Sequence, residues 1–305
     1  MKNYPLVSVY TCVYNGERTI HRVFHSLKKL DYPNIEHIIV NDGSSDRTDE
    51  LVQEYIRQVP FTVKYHKKEN GGKHTAMNVV WDLAEGEFLI QLDADDELLP
   101  SAVKFLVDTY YQIPDDIRHE YWCVHGRYIN QKGGFEGDKY PENINQEHWS
   151  VSGPKAQKYG GDKLGLQRRA CLSGYRFPEV VGVSHVPESI IWHQVNRLYG
   201  TWYTNEILGV RYIDEGGNLT AKLTTRRQFG PRAYYRKWQI MHEEEYGKSF
   251  QTILIYSLFY HIADKRYRTH NGYLEGINRH RVLLILLRPF AAVCAAAVRV
   301  LKQIR

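Results

Sequence analysis

Asp93, Asp95 and Asp96 follow one another closely, with no cationic residue between them. They end the mostly apolar run Phe88-Leu89-Ile90-Gln91-Leu92, which has the length of a central strand in an α/β sheet. Carboxylates this close repel one another unless a positive charge sits among them. A hard divalent cation would neutralise them, and Mg²⁺ is typically held by one or two carboxylates together with substrate phosphate. The competing reading is a solvated acidic turn that caps the next helix, because Asp is common at turns and N-caps.

The elements that must position this turn read as alternating strands and helices. Leu6–Val13 is β-rich, and Thr19–Leu30 has apolar residues at helical spacing. His37–Val40 and Phe61–His66 read as further strands. Helices are expected around Leu51–Val59, over Lys73–Leu83 and from Pro100 to about Tyr111. Strands alternating with helices predict a parallel sheet covered by helices on both faces. In such a sheet the loops after successive strands leave from one edge, where ligands bind in open α/β folds. The loop Thr11–Glu17, the run Asp42-Gly43-Ser44-Ser45-Asp46, the turn Asn70-Gly71-Gly72-Lys73 and the acidic turn should therefore line one cleft. An acidic pair, a Gly-Gly turn with free N–H groups, a lysine and a helix N-terminus suit a nucleoside diphosphate with a metal. Each part alone has a plainer reading: Ser44 and Ser45 as helix caps, Asn-Gly-Gly as a common turn, Lys73 as a surface lysine. The order of the set is more specific than any member.

The pattern changes after Ile113-Pro114. Tyr121–Ile129 reads as a strand, Lys132-Gly133-Gly134 as a tight turn, and 135–161 as a long polar loop of the kind that is usually functional or mobile. Gln167–Leu172 and Glu188–Tyr199 look helical, Trp202–Tyr212 extended, and Phe229–Tyr246 and Ser249–Ala263 helical. Near the end, Val282–Leu287 and Phe290–Val298 are apolar, interrupted by Arg288-Pro289 and flanked by Arg281, Arg299, Lys302 and Arg305. A membrane span needs about 20 mainly apolar residues. The favoured reading is an amphipathic helix pair lying on an anionic membrane surface. The alternative is packing against the chain's own core or a second subunit.

Composition is ordinary for a globular protein, with 43% hydrophobic and 25% charged residues among 305. A net charge of +5, with basic residues scattered until the end of the chain, does not argue for nucleic acid. Cys12, Cys123, Cys171 and Cys294 form no CxxC pair, so neither a zinc site nor a disulfide framework is indicated. A reducing compartment and no signal peptide are expected. The Asn218-Leu219-Thr220 sequon would then go unused. His21 and His25 stand at i, i+4 with no partner motif, and His74 is the one histidine expected near the cleft.

The first 111 residues resemble the nucleotide-binding half of family 2 glycosyltransferases with the GT-A fold. The matching pieces are Val7-Ser8-Val9 to Tyr14-Asn15-Gly16, Asn41 to Asp46, Asn70-Gly71-Gly72-Lys73 with Asn78, and Leu92 to Asp96. Phe177-Pro178-Glu179 and Val186-Pro187-Glu188 match more loosely. The resemblance implies a Rossmann-like, mostly parallel α/β domain. Residues 1–112 would bind the nucleotide sugar and 113–225 the acceptor, with a helical extension over 226–305. It implies a nucleoside-diphosphate sugar, most readily a UDP-sugar, as donor. Asp42 would bind the base, and Thr11 and Glu17 would line the nucleoside site. Asp93 would lie near the ribose, with Gly72, Lys73 and Ala94 beside the donor. Asp95 would hold Mg²⁺ or Mn²⁺ at the diphosphate, where a cation stabilises developing negative charge.

Inverting transfer needs one general base for the acceptor hydroxyl. The resemblance places it in the second half. Glu188 is the first choice, because it opens a helical segment after Pro187; Asp162 and Glu179 are rivals. A carboxylate in the first turn that complements the helix dipole would look the same. The family pattern often has Glu-Asp where this chain has Glu188-Ser189. The expected activity is a hexosyltransferase type of glycosyl transfer to a saccharide or lipid-linked acceptor. It would serve bacterial surface polysaccharide synthesis, in the cytoplasm at the inner face of the membrane. A non-catalytic sugar-nucleotide-binding or scaffold subunit is the alternative, and a sugar nucleotidyltransferase the third reading. The latter typically carries a Gly-rich basic loop after the first strand, where this chain has Tyr14-Asn15-Gly16-Glu17-Arg18.

Overall fold

The computed structural model describes residues 4–142, 144–147, 159, 162–179, 183, 185–213 and 286. The chain divides into two compact units, Met1–Pro178 with Glu188–Gly216, and Glu179–Pro187 with Gly217–Arg305. The helices expected beyond residue 226, and the choice between membrane, partner and core for the tail, lie outside the described residues.

The first unit is built on one sheet of eight strands in the order β3-β2-β1-β4-β7-β6-β8-β5. Strands β1 (Val7–Val13), β2 (Ile35–Asn41), β3 (Thr62–Lys67) and β4 (Phe88–Gln91) run parallel. Helices α1 (Ile20–Leu27), α2 (Thr48–Ile56) and α3 (Lys73–Leu83) connect them. The short β5 (Glu97–Leu98) leads into α4 (Ala102–Gln112) and the single turn α5 (Asp115–Arg118). Then β6 (Tyr121–Asn130) and β7 (Lys163–Arg168) extend the same sheet, followed by α6 (Ser189–Val195) and β8 (Gly200–Arg211). β7 runs antiparallel between β4 and β6, and β5 runs antiparallel to β8. The result is a mixed α/β sheet whose first four strands are parallel.

Strict alternation explains the core. Val7, Val9 and Val13 of β1 join Phe88 and Ile90 of β4 and the apolar stripes of α1, α2 and α4 in one buried cluster. Tyr10 and Gln91, a register pair, point to the other face, where α3 packs on β1 and β2. On that face Glu36 is buried at the foot of the sheet. Its carboxylate accepts from Ser8 Oγ (2.6 Å) and the Glu85 amide (2.8 Å), and pairs with Lys64 Nζ (2.8 Å). Burial pushes this carboxyl up, but the Lys64 and Ser8 bonds outweigh it and hold it below its usual 4.5. A carboxyl depressed by folding stabilises above its unfolded value and loses that contribution as pH falls through its folded value. Glu36→Gln should therefore cost about 3 kcal/mol near neutrality. The gap to the parent should narrow below pH 4.5, as read from denaturant unfolding across the acid range. A constant gap would show that the carboxylate's charge contributes nothing.

One element departs from expectation. Gln167–Leu172 has helical spacing, yet Gln167 and Arg168 end β7 and residues 169–172 form a single 3₁₀ turn. Leu164 and Leu166 fill the core between β4 and β6, so tertiary pairing overrides local periodicity.

Candidate active site

Because β1 to β4 are parallel, their C-terminal ends share one edge, and the loops that leave it are cross-linked. The Asn15 amide donates to Ser44 Oγ (2.9 Å), the Ser45 amide to Asn15 Oδ1 (2.9 Å) and the Gly16 amide to Thr48 Oγ1 (2.8 Å). Ser44 and Ser45 thus tie the first loop to the second. Asp46 is the residue that accepts from the first amide of α2, at Thr48 (3.0 Å).

Asp42 follows β2 and is buried. Its Oδ1 accepts from Lys68 Nζ (2.8 Å) and the Gly71 amide (3.0 Å), and its Oδ2 from the Gly72 amide (2.8 Å). The Gly-Gly turn expected to offer free N–H groups therefore already spends two of them on a carboxylate of the chain. Gly72 has φ +95° and Gly43 φ +77°, and a Cβ on Gly43 would lie 2.7 Å from the Asn70 nitrogen. Both positions need glycine for the turn to close over Asp42.

Lys73 opens α3 and reaches the centre of the edge. Its Nζ lies 2.7 Å from Asp93 Oδ1 and 2.8 Å from Glu188 Oε1. Burial pulls this ammonium down, but Asp93 and Glu188 outweigh it and hold it well above the usual lysine range. Burial likewise pushes Asp93 up, and the Lys73 charge overcomes it and keeps the carboxyl low. Glu188 stands just before the first residue of α6, a helix moored where Trp192 packs against Trp122 (ring centroids 5.4 Å) and Asn196 Oδ1 accepts from Trp122 Nε1 (2.7 Å). Lys73, Asp93 and Glu188 thus meet from three separate elements.

Asp93, Asp95 and Asp96 each offer a carboxylate oxygen within 4.8 Å of the others. Asp96 is buried and accepts from the Tyr212 amide at 3.2 Å. Burial, with the charges of Asp93 and Asp95, pushes its carboxyl up to about 8, and burial with Asp93 also raises Asp95. The cluster is therefore short of positive charge. Three oxygen donors in that condition fit a hard divalent cation such as Mg²⁺ or Mn²⁺.

The other expected residues fall as follows. Thr11 is fully buried in β1 and its Oγ1 lies 3.2 Å from His37 Nε2, so its hydroxyl serves the core. Glu17 is exposed, and its Oε2 accepts from the Arg47 amide at 3.2 Å. Ala94 packs half-buried against the core. Asp162 is exposed and ion-paired to Arg211. Glu179 is exposed and belongs to the second unit. His74 is buried in α3, and His21 and His25 are exposed on α1.

Sequence reasoning missed three contributors. Arg22 of α1 stacks 3.9 Å over the Tyr212 ring and donates to the Asp95 carbonyl (3.3 Å). Tyr212, just past β8, reaches Asp96 through its amide and Glu97 through its hydroxyl (3.1 Å). Gln91 lies 3.3 Å from both Asp93 Oδ1 and Glu188 Oε1. Only Gln91 left a signal, as the one polar residue in the apolar run before Asp93. Asn78, part of the sequence pattern, bonds Phe177 twice, at its carbonyl and its amide (both 2.9 Å).

Comparison with known proteins gives the family and the fold. The family model described as Glycosyl transferase family 2 matches residues 8–160. Chondroitin synthase of Escherichia coli is 34% identical over 110 residues, 36% of this chain and 16% of that protein. The match spans less than half the length of such curated relatives. The crystal structure of S. aureus TarS 1-349 in complex with UDP-GlcNAc superposes with a TM-score of 0.57 at 16% identity, covering 91% of this chain and 78% of that one. The mannosyltransferase PcManGT from Pyrobaculum calidifontis, in complex with GDP-Man and Mn²⁺, gives 0.55 at 18% identity, covering 99% and 84%. These structures show the GT-A fold. With the family model covering half of its length, the chain belongs to glycosyl transferase family 2.

Proposed function

We propose that this chain moves a sugar from a nucleoside-diphosphate sugar to a hydroxyl of a saccharide or lipid-linked acceptor, with inversion at the anomeric carbon. The observation that carries the reading is the meeting of Lys73, Asp93 and Glu188 beside the acidic cluster at the loop edge of the sheet. Asp95, with Asp93 and Asp96, would hold a divalent cation, which supplies Lewis-acid stabilisation of a departing diphosphate. Lys73 adds fixed positive charge beside the same edge. Glu188 takes the acceptor hydroxyl proton as the acceptor oxygen bonds to the anomeric carbon and the bond to the diphosphate breaks. Among the described residues both hydrogen bonds that Glu188 accepts converge on Oε1, so Oε2 is the oxygen for that proton. Asp42 shapes the nucleoside end by holding the Gly71-Gly72 turn.

A UDP-sugar is favoured as donor because TarS binds UDP-GlcNAc, although PcManGT binds GDP-Man. Relatives named chondroitin synthase and poly(ribitol-phosphate) β-N-acetylglucosaminyltransferase support a role in surface polysaccharide synthesis. The basic, apolar tail supports work at the inner face of the membrane. Among the described residues no helix is long and apolar enough to cross a membrane. Calorimetric titration of UDP, GDP, CDP and dTDP, each with and without Mn²⁺, tests the donor reading. Metal-dependent binding of one nucleotide is expected. If none binds under either condition, the acidic turn is a helix cap and the reading fails.

A further inference from the structure

Tyr10 and Gln91 face one another in register across β1 and β4. Tyr10 is fully buried, and its hydroxyl donates to Gln91 Oε1 at 3.0 Å. The other end of the amide, Nε2, is turned to Asp93 Oδ1 and Glu188 Oε1, 3.3 Å from each. Reversing the amide would set its oxygen against two carboxylates, so electrostatics fix one end and the Tyr10 hydroxyl fixes the other. Burial, with the negative charge nearby, pushes the phenol well above its usual range, so it remains a donor.

We propose that Tyr10 and Gln91 are positioning residues that hold the Glu188 carboxylate in its working orientation. This rests on Glu188 being the base. Lys73 attracts Glu188 Oε1 as a point charge with little directional preference. The Gln91 amide supplies the direction, anchoring Oε1 so that Oε2 is left for the acceptor hydroxyl. The same amide ties Glu188 to Asp93, and so registers the base on α6 against the acidic strand end. Neither Tyr10 nor Gln91 touches reacting atoms.

The test measures UDP release from UDP-N-acetylglucosamine with Mn²⁺ and water as acceptor, for Tyr10→Phe, Gln91→Met, their double variant and Glu188→Gln. Gln91→Met should lower kcat on the order of 100-fold, the cost of a misplaced catalytic group, with KM for the donor unchanged. Tyr10→Phe should lower kcat about fivefold, the worth of one neutral hydrogen bond. The double variant should be no slower than Gln91→Met, because Tyr10 acts through Gln91. A loss seen in KM instead of kcat, or additive losses in the double variant, would overturn the relay. Full kcat in Gln91→Met with Glu188→Gln inactive would remove the relay and leave the base in place. Turnover in Glu188→Gln would remove both. A crystal structure of Gln91→Met needs no turnover: the Glu188 carboxylate should leave the orientation it has in the parent, and an unmoved carboxylate overturns the proposal.

Discussion

Asp95→Ala is expected to abolish the metal-dependent part of nucleotide binding, weakening affinity in Mn²⁺ on the order of 100-fold or more. The reason is the charge balance of the acidic turn. Lys73 holds Asp93 low against burial, whereas burial and the Asp93 charge raise Asp95, and burial with the charges of Asp93 and Asp95 raises Asp96. A divalent cation held by Asp95 and Asp96 would compensate both and would supply positive charge for a bound diphosphate. Removing Asp95 leaves Asp93 committed to Lys73 and Asp96 buried against the Tyr212 amide, a poor pair of ligands. Affinity without metal should change little. Thermal stability without metal should hold or rise, because one of three mutually repelling carboxylates has gone. Calorimetry in Mn²⁺ and in EDTA, with a thermal melt, separates these effects. Equal metal dependence in Asp95→Ala and parent would remove the metal assignment, and a collapsed melt would show that the residue is structural.

Glu188→Gln is expected to lower kcat on the order of 10³-fold, within the range for loss of a general base. Donor binding should persist. The substitution keeps the side chain's size and its place at the start of α6, and an amide oxygen can still accept from Lys73 and Gln91. It removes the negative charge and the ability to take a proton. A role limited to complementing the helix dipole or pairing Lys73 would predict lower stability with turnover intact. Transfer rate and nucleotide affinity measured side by side decide between the two. Asp162→Asn is the control. That carboxylate is exposed and paired with Arg211, so transfer should fall far less.

Much of the first half was legible because its information is local. The apolar runs at Val7–Val13 and Phe88–Leu92, the helix from Lys73 to Leu83 and the polar loops between them are read within a few residues of one another. Parallel order then brings Asp42, Gly72, Lys73 and Asp93 to one edge without further information. Glu188 was also legible as the opening residue of a helix.

What the loops do to one another was not legible. The amides of Gly71 and Gly72 bond to Asp42, Thr11 spends its hydroxyl on His37, and Lys73 divides itself between Asp93 and Glu188. Nor could local pattern show that β7 slips antiparallel between β4 and β6, turning Gln167 into a strand residue. Periodicity reports which face of an element is apolar, and residue type reports what chemistry a side chain can do. Which distant group completes that chemistry depends on strand order and register, and these are settled by packing across the sheet, where Gln91 meets Tyr10 on one side and Glu188 on the other.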